Sequence, residues 1–145
     1  MTFHLIFQQT DVATCLRPGI QALGQYSRLI DSNEPERFEG SVDIDACLLQ
    51  RYPQDNRWDY VFGFDSRIYY VEVHHVSDSE VSVVIAKYRW LKDWQNHQPD
   101  PPALKRNSSV HWVSSGRGAL TKNSRYTRSL AQAGLDYPKK TLRVE

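Results

Sequence analysis

Three side chains suited to acid–base or metal chemistry lie in two neighbouring segments that the sequence predicts to be strands. Asp59 opens the first segment, residues 58–64, while Glu72 and His74 belong to the second, residues 68–76. Because side chains alternate along a strand, Glu72 and His74 point to the same face of the predicted sheet. Carboxylates on adjacent strands can meet across the ladder and bind a hard cation such as Mg²⁺, with positions left open for water and phosphate oxygens.

This pattern resembles the PD-(D/E)XK nuclease superfamily, whose fold is restriction-endonuclease-like. In that family an acidic helix precedes a hairpin that carries Asp on one strand and (Asp/Glu)-x-Lys on the next, followed by a helix and a further strand. The resemblance covers residues 43–113: Asp59 takes the Asp position and Glu72 the Asp/Glu position. Asp43 or Asp45 would supply the acidic residue of the preceding helix. The resemblance implies a Mg²⁺ or Mn²⁺ cofactor held by these acids, and a phosphodiesterase acting on DNA or RNA.

The Lys position of the family motif holds His74 in this chain. A His there could bind the metal, donate a hydrogen bond or act as a base, with an efficiency that depends on pH. A second interpretation moves the lysine to the next predicted helix. Lys87 is the candidate, because it lies seven residues after Glu80 and therefore on the same side of that helix.

Each of these acids also has a structural interpretation that the sequence leaves open. Asp59 could cap a turn or pair with Arg57, and Glu72 with His74 could form a hydrogen-bonded pair on an exposed sheet face. Asp43 and Asp45 would lie in the first turn of a helix, where acidic residues favour the helix dipole whatever the function.

Several nearby polar residues are better explained by structure than by chemistry. His75 points to the opposite strand face and is predicted to be structural or exposed. His111, within the apolar run VHWV, is predicted to be a hydrogen-bonded core histidine. Lys87, Arg89 and Lys92 together could also be no more than the solvated face of a helix.

The elements that must position these residues follow from the hydrophobic pattern. Residues 58–64 and 68–76 are rich in aromatic and β-branched side chains, and Asp65, Ser66 and Arg67 between them predict an antiparallel hairpin. From Ser77 onward, Glu80 completes a capping-box pattern and an apolar stripe predicts a helix through residue 95. The remaining predictions are a loop at 98–102, a buried strand at 110–113, a helix at 124–133 capped by Asn123, and an edge strand at 141–144.

The first half of the chain has weaker signals. Pro18 suits a first helical turn, and Ile20, Leu23 and Ile30 fall near one helical face, which favours helix in most of the first thirty residues. Residues 31–40 are polar and acidic and predict a loop. Ser41 would then cap a helix that ends before Pro53.

A chain of 145 residues, with 40% hydrophobic and 24% charged residues, fits one globular domain. The predicted fold class is α+β (α/β-like), with a central mixed β-sheet, a hairpin, a crossover helix and flanking helices, restriction-endonuclease-like. The nuclease-like core would span about residues 41–113, and a basic C-terminal helix with an edge strand would span 119–145. Collagenous and disordered classes are excluded by the four Trp, eight Tyr and five Phe.

Charge is distributed unevenly along the chain. Residues 1–97 hold 14 acidic and 9 basic residues, a net charge of −5, whereas residues 98–145 hold 3 acidic and 9 basic residues, a net charge of +6. Lys122, Arg125 and Arg128, three residues apart, would form one positive strip near the start of the final helix, which Arg117 could extend. These four residues are the candidate nucleic-acid-binding residues, since DNA or RNA phosphates are the natural partner of such a strip.

Cys15 and Cys47 lack metal-ligand spacing and have apolar neighbours, so both are predicted to be reduced core residues. No apolar run approaches the length of a membrane span, and no secretory signal is predicted, which favours the cytoplasm. The rival function is a catalytically inactive nuclease-like fold that binds nucleic acid or a protein, as a subunit of a defence or mobile-element system. A homodimer or a larger protein complex is left open.

Overall fold

Six strands and five α-helices form the regular structure of residues 2–145, the part of the chain described by this computed structural model. The strands are β1 (Ile30–Asp31), β2 (Phe38–Asp43), β3 (Tyr60–Phe64), β4 (Arg67–His74), β5 (Ser108–Ser114) and β6 (Leu142–Arg143). The α-helices are α1 (Phe3–Phe7), α2 (Ile44–Leu48), α3 (Val81–Asn96), α4 (Pro101–Lys105) and α5 (Arg125–Ala133). Short 3₁₀ segments lie at Ala13–Cys15, Gln21–Leu29, Pro35–Arg37 and Asp78–Glu80.

The central sheet has the strand order β2-β3-β4-β5. The pairs β2–β3 and β3–β4 are antiparallel, whereas β4 and β5 are parallel and are connected through α3 and α4. The predicted hairpin is confirmed: β3 and β4 pair directly, and Asp65 and Ser66 make the turn with positive φ angles of 48° and 65°. The predicted mixed sheet and α+β class are therefore confirmed at this level.

The prediction for residues 31–52 is wrong in part. Phe38–Asp43 is a strand paired with β3, and the helix is limited to Ile44–Leu48, capped by Asp43 rather than Ser41. Ser41 and Val42 are fully buried in this strand, and Ser41 also bridges to Arg17. Pairing with a neighbouring strand thus outweighs the weak local helix signal, as is common for sheet residues.

The expected long helix in the first thirty residues is also wrong. Only Phe3–Phe7 is α-helical, and the later segments are 3₁₀ turns. Gly19 and Gly24 both have a φ of 53°, a left-handed conformation that interrupts an α-helix. The side chain of Phe3 fills the space beside Gly63 of β3, where an added Cβ would lie 2.6 Å from the Phe3 Cβ.

The helix predicted after Ser77 is confirmed as α3, but its first turn differs. Asp78–Glu80 is a 3₁₀ turn, and Ser77 makes no side-chain cap to the helix. The buried side of α3 packs in two clusters. Leu91 and Trp94 share one core cluster with Tyr70 of β4, and Val84 shares another with Trp112 of β5. Helix α3 therefore covers one face of the sheet.

The opposite sheet face is covered by other parts of the chain. Val71 of β4 packs in a separate cluster with Leu23 of the long 3₁₀ segment and Leu142 of β6. Strand β6 is the predicted edge strand, but it pairs in parallel with β1 and not with the central sheet. By alternation along β4, Tyr70 and Glu72 face α3 while Val71 faces away from it.

The C-terminal half follows the predictions with two differences. Strand β5 contains the predicted VHWV run, and α5 ends at Gly134 with a φ of 89° as expected of a C-terminal glycine. The cap of α5 is Ser124, one residue later than predicted. The short helix α4 begins within the segment predicted as a loop, because Asp100 accepts a hydrogen bond from the Ala103 N–H and proline occupies the first turn.

The two cysteines are joined, which contradicts the prediction of reduced thiols. Cys15 and Cys47 form a disulfide with Cα atoms 6.0 Å apart. They are 32 residues apart in the chain, so only the packing of the N-terminal segment against α2 brings them within bonding distance. Within residues 2–145, none of the helices has the length and apolar content needed to cross a bilayer. The cytoplasmic location stays a prediction.

Candidate functional site

Asp59 and Glu72 face each other across the β3–β4 hairpin through reciprocal hydrogen bonds. The Asp59 backbone N–H donates to Glu72 Oε1 at 3.1 Å, and the Val73 backbone N–H donates to Asp59 Oδ2 at 3.0 Å. One oxygen of each carboxylate thus accepts a hydrogen bond from the backbone of the opposing segment. The second oxygen of each remains free to bind another group.

Lys87 of α3 supplies that group. Its Nζ lies 3.1 Å from Asp59 Oδ1 and is in direct contact with Glu72 Oε2. Lys87 lies on the side of α3 that packs on the sheet, so its ammonium reaches the point where the two strands present their acids. The structure therefore brings together Asp59, Glu72 and Lys87, three residues predicted from separate segments.

This acid–lysine cluster, defined as Asp59, Glu72 and Lys87, is shielded from solvent. The Glu72 side chain has 0% exposure, and those of Lys87 and Asp59 have 15% and 17%. Burial raises the pKa of Glu72 to about 7 and also raises the pKa of Asp59. Burial acts to lower the pKa of Lys87, but attraction from Glu72 and Asp59 outweighs it and leaves the pKa raised.

His74 extends the cluster toward the end of β4. Its Nδ1 lies 3.4 Å from Glu72 Oε2, and this interaction raises the pKa of His74. The other ring nitrogen, Nε2, is buried 3.5 Å from Glu80 Oε2 without a well-oriented hydrogen bond. The sequence predicts Glu80 as a capping residue and places it on the same helical side as Lys87, but does not predict its contact with His74. Its separation of seven residues from Lys87 was the available signal that both belong to one helical side.

Of the two structural alternatives for these residues, one is correct in part and the other is wrong. Glu72 and His74 do form a pair, but the Glu72 side chain has no exposure and that of His74 has 22%. Arg57 does not pair with Asp59. It donates to the Asp45 side chain at 3.0 Å and to the Tyr52 carbonyl instead.

Asp43 and Asp45 lie outside the acid–lysine cluster. Asp43 accepts a hydrogen bond from the Ala46 N–H at 2.9 Å as the cap of α2. It pairs in register with Tyr60, the residue after Asp59, and alternation places it on the other sheet face. Asp45 is held by Arg57. Besides burial, charge repulsion contributes to the raised pKa values of Asp43 and Asp59, so both acids are still close to Asp59 and their inclusion among the metal ligands stays a prediction.

Among residues 2–145 no group of three or more His, Cys, Asp and Glu side chains is arranged to hold a metal ion. Mg²⁺ commonly needs only one or two protein carboxylates, with water and phosphate oxygens filling its other positions. Asp59 and Glu72 fit that requirement, because their free oxygens already converge on one cation, the Lys87 ammonium. These two residues could hold a divalent ion.

The predicted nucleic-acid-binding residues are all exposed. Arg125 and Arg128 lie on α5, and the Arg125 guanidinium stacks over Tyr126. Lys122 lies before the Ser124 cap, and Asn123 between them has a φ of 51°. The predicted helical spacing therefore applies to the two arginines only. Thr121, beside Lys122, is held by Asp78 through its N–H and its hydroxyl, which anchors this segment at the start of α3.

Arg117 lies in the loop after β5 and lines a pocket with Arg28 and Lys140, two residues absent from the predicted strip. His75 is exposed, as predicted. His111 is partly buried, hydrogen-bonded to the Ser109 hydroxyl at 2.8 Å and stacked on Tyr69. Arg89 and Lys92 are exposed, so only Lys87 of the three departs from the solvated-face interpretation.

The arrangement holds one cation, the Lys87 ammonium, between two carboxylates, with the His74 imidazole beside Glu72. Comparison with protein-family models, curated proteins and solved structures gave no significant match. What the site does must therefore be argued from its own geometry.

Proposed function

We propose that this protein is a metal-dependent phosphodiesterase, a nuclease acting on DNA or RNA, with a restriction-endonuclease-like fold. The observation that carries the proposal is the convergence of Asp59, immediately before β3, with Glu72 of β4 and Lys87 of α3. An Asp, a Glu and a Lys are the charges that the PD-(D/E)XK motif requires. Here the lysine would come from the helix and not from the strand.

The strand order supports the same resemblance. An antiparallel hairpin carries the two acids, a helix follows, and the next strand is parallel to the second hairpin strand. This is the succession that the sequence resemblance implied for the family. The acidic helix is shorter than expected and its acids lie elsewhere, so the proposed site depends on Asp59 and Glu72 alone for its carboxylates.

Asp59 and Glu72 would hold Mg²⁺ or Mn²⁺. Such an ion, when bound, polarises a phosphate oxygen and lowers the pKa of bound water. Lys87 would neutralise the charge of a phosphate group brought next to the two acids. His74, whose Nδ1 lies 3.4 Å from Glu72 Oε2, would serve as a proton donor or acceptor once the buried contact of its Nε2 with Glu80 Oε2, at 3.5 Å, opens.

A second function, a nuclease-like fold without activity that binds nucleic acid or a protein, is favoured by one observation. Lys87 closes the space between the acids, and Glu72 has no solvent exposure. A site held shut by its own lysine would be stable without metal and would have no access for a substrate. A homodimer, a larger complex and a role in a defence or mobile-element system belong to this proposal as predicted partners.

A cleavage assay distinguishes the active nuclease from the inactive binding module. It uses labelled DNA and RNA, single-stranded and duplex, with Mg²⁺, Mn²⁺ or EDTA. For an active enzyme, Glu72→Gln and Lys87→Ala abolish cleavage, and the exposed control Arg89→Ala cleaves at the wild-type rate. His74→Lys distinguishes the two positions for the lysine. It retains activity and rescues Lys87→Ala if His74 stands at the motif position, and does not rescue it if Lys87 acts alone. Absence of metal-dependent cleavage of every substrate contradicts the enzyme proposal.

A further inference from the structure

The loop that follows β5 lines a pocket of about 370 Å³ with a strongly basic wall. Arg28 from the end of the long 3₁₀ segment, Arg117 from the loop and Lys140 from the segment before β6 all line it. These cations come from three distant parts of the chain. None of the residues that line the pocket is acidic.

The three cations have no internal counter-charge. Among the ion pairs of residues 2–145, none involves Arg28, Arg117 or Lys140, whereas Arg37, Arg51, Arg57 and Arg143 each pair with at least one carboxylate. Three like charges around one pocket repel one another unless an anion lies between them. The pocket is thus organised for a negatively charged ligand.

The loop backbone strengthens this arrangement. The Ser115 N–H donates to the His74 carbonyl at 3.3 Å, which fixes the loop to the end of β4. Gly118, with a φ of 140°, lies so close to the Val76 carbonyl that an added Cβ would lie 2.1 Å from its oxygen. The N–H groups of Arg117 and Gly118 make no hydrogen bond within residues 2–145 and remain available to an anion.

The position of the pocket relates it to the acid–lysine cluster. Strands β4 and β5 are parallel, with His74 paired to Ser114 at their carboxyl ends. Ligands of open sheets commonly bind beyond the carboxyl ends of parallel strands. The basic pocket and His74 therefore lie at the same end of the central sheet, where β4 and β5 finish.

We propose that Arg28, Arg117, Lys140 and the backbone N–H groups of residues 117 and 118 form a binding site for a phosphate group of a nucleic-acid strand. The proposal rests on the proposed function for the identity of the polymer. A terminal phosphate monoester is a dianion near neutral pH and a backbone diester is a monoanion. Both present the oxygens that arginine and backbone N–H groups bind. Arg28 and Lys140 would thus hold one phosphate of the strand.

The test compares Arg28→Gln and Lys140→Gln with the matched control Arg67→Gln. Arg67 is an exposed arginine at the opposite end of β4 without an ion pair among residues 2–145. Fluorescence anisotropy with single-stranded oligonucleotides carrying a 5′-phosphate, a 3′-phosphate or hydroxyl ends measures affinity without need of cleavage. Loss of one charge-assisted contact weakens binding by about 10-fold for Arg28→Gln and for Lys140→Gln. The control changes it by less than about 2-fold.

The outcomes separate this inference from the proposed function. A larger loss for phosphorylated than for hydroxyl-ended strands assigns the site to a terminal monoester, and equal losses assign it to the backbone diester. Equal affinities of Arg28→Gln, Lys140→Gln and the control overturn the pocket, even if the wild type cleaves nucleic acid.

If no nucleic acid is cleaved, ³¹P NMR of inorganic phosphate still tests the pocket. Binding broadens the phosphate signal when the protein is added. Broadening lost in Arg28→Gln but kept in Arg67→Gln supports it, and no broadening with wild type overturns it.

Discussion

Two charged regions of this molecule differ in whether their charges are buried and paired or exposed and unpaired. In the acid–lysine cluster, Asp59, Glu72 and Lys87 are buried and satisfy one another across three elements. In the basic region formed by the loop after β5 and by α5, Arg117, Lys122 and Arg128 are exposed and make no ion pair within residues 2–145. Removal of one partner from the buried set should therefore lower stability, whereas removal of one charge from the exposed set should change stability little.

The largest expected effect comes from removing the lysine of the cluster. Lys87→Ala leaves two buried carboxylates facing each other and lowers the free energy of unfolding by about 3–5 kcal/mol. The control Arg89→Ala, an exposed position two residues along the same helix, changes it by no more than about 0.5 kcal/mol. Urea unfolding at pH 7 measures both. Equal losses in the two variants would show that the cluster is not a stabilising ion network.

An added cation tests whether the cluster can open. If Asp59 and Glu72 hold a divalent ion, Mg²⁺ or Mn²⁺ at about 100 times its dissociation constant stabilises the fold by about 2.7 kcal/mol. For a chain of this size that corresponds to a rise in melting temperature of several degrees. Glu72→Gln loses most of this rise, and Asp45→Asn, outside the cluster, keeps it. An equal rise in both variants would place the ion elsewhere.

The basic region predicts the reverse pattern, with small effects on stability and larger effects on binding. Replacing Arg125 and Arg128 together by alanine should leave the unfolding midpoint nearly unchanged. It should weaken binding to all nucleic-acid sequences alike and lower the slope of log affinity against log salt by up to about 2. Anisotropy titrations at several salt concentrations measure the slope, with Arg67→Gln as control. An unchanged slope would remove α5 from the binding surface.

The smallest effect concerns His111, whose surroundings differ from those of His74. Burial, assisted by Lys139 at 3.5 Å, lowers the pKa of His111 to about 4, whereas the pKa of His74 beside Glu72 is raised. Between pH 6.5 and about 4 the unfolded chain binds a proton at His111 that the folded protein does not bind. The stability contribution of His111 is therefore complete above pH 6.5 and is lost as the pH falls toward 4.

Urea midpoints at pH 7 and pH 5 check this sign. The loss of stability between the two values should be smaller for His111→Gln than for the wild type, because Gln does not titrate. His75→Gln, at an exposed position, should behave like the wild type. A loss as large in His111→Gln as in the wild type would show that His111 is not the group responsible.

Local sequence is sufficient for the parts of the fold whose pattern is strong over many residues. The aromatic and β-branched runs on either side of Asp65 and Ser66 determine the hairpin, and the apolar stripe of α3 determines the crossover helix. The hairpin region and α3 also carry Asp59, Glu72 and Lys87, so the three residues can be proposed as one site from the sequence. Alternation along β4 correctly indicates that Glu72 and His74 share a face.

Contacts between distant segments decide the rest. Strand β2 exists because it pairs with β3, the Cys15–Cys47 disulfide because the N-terminal segment packs on α2, and the basic pocket because Arg28 and Lys140 approach Arg117. None of these has a local pattern, since the free energy that selects them comes from long-range burial and pairing. The chain by itself determined which residues could carry chemistry. Packing of α3 on the sheet decided that Lys87 of the helix contacts both Asp59 and Glu72.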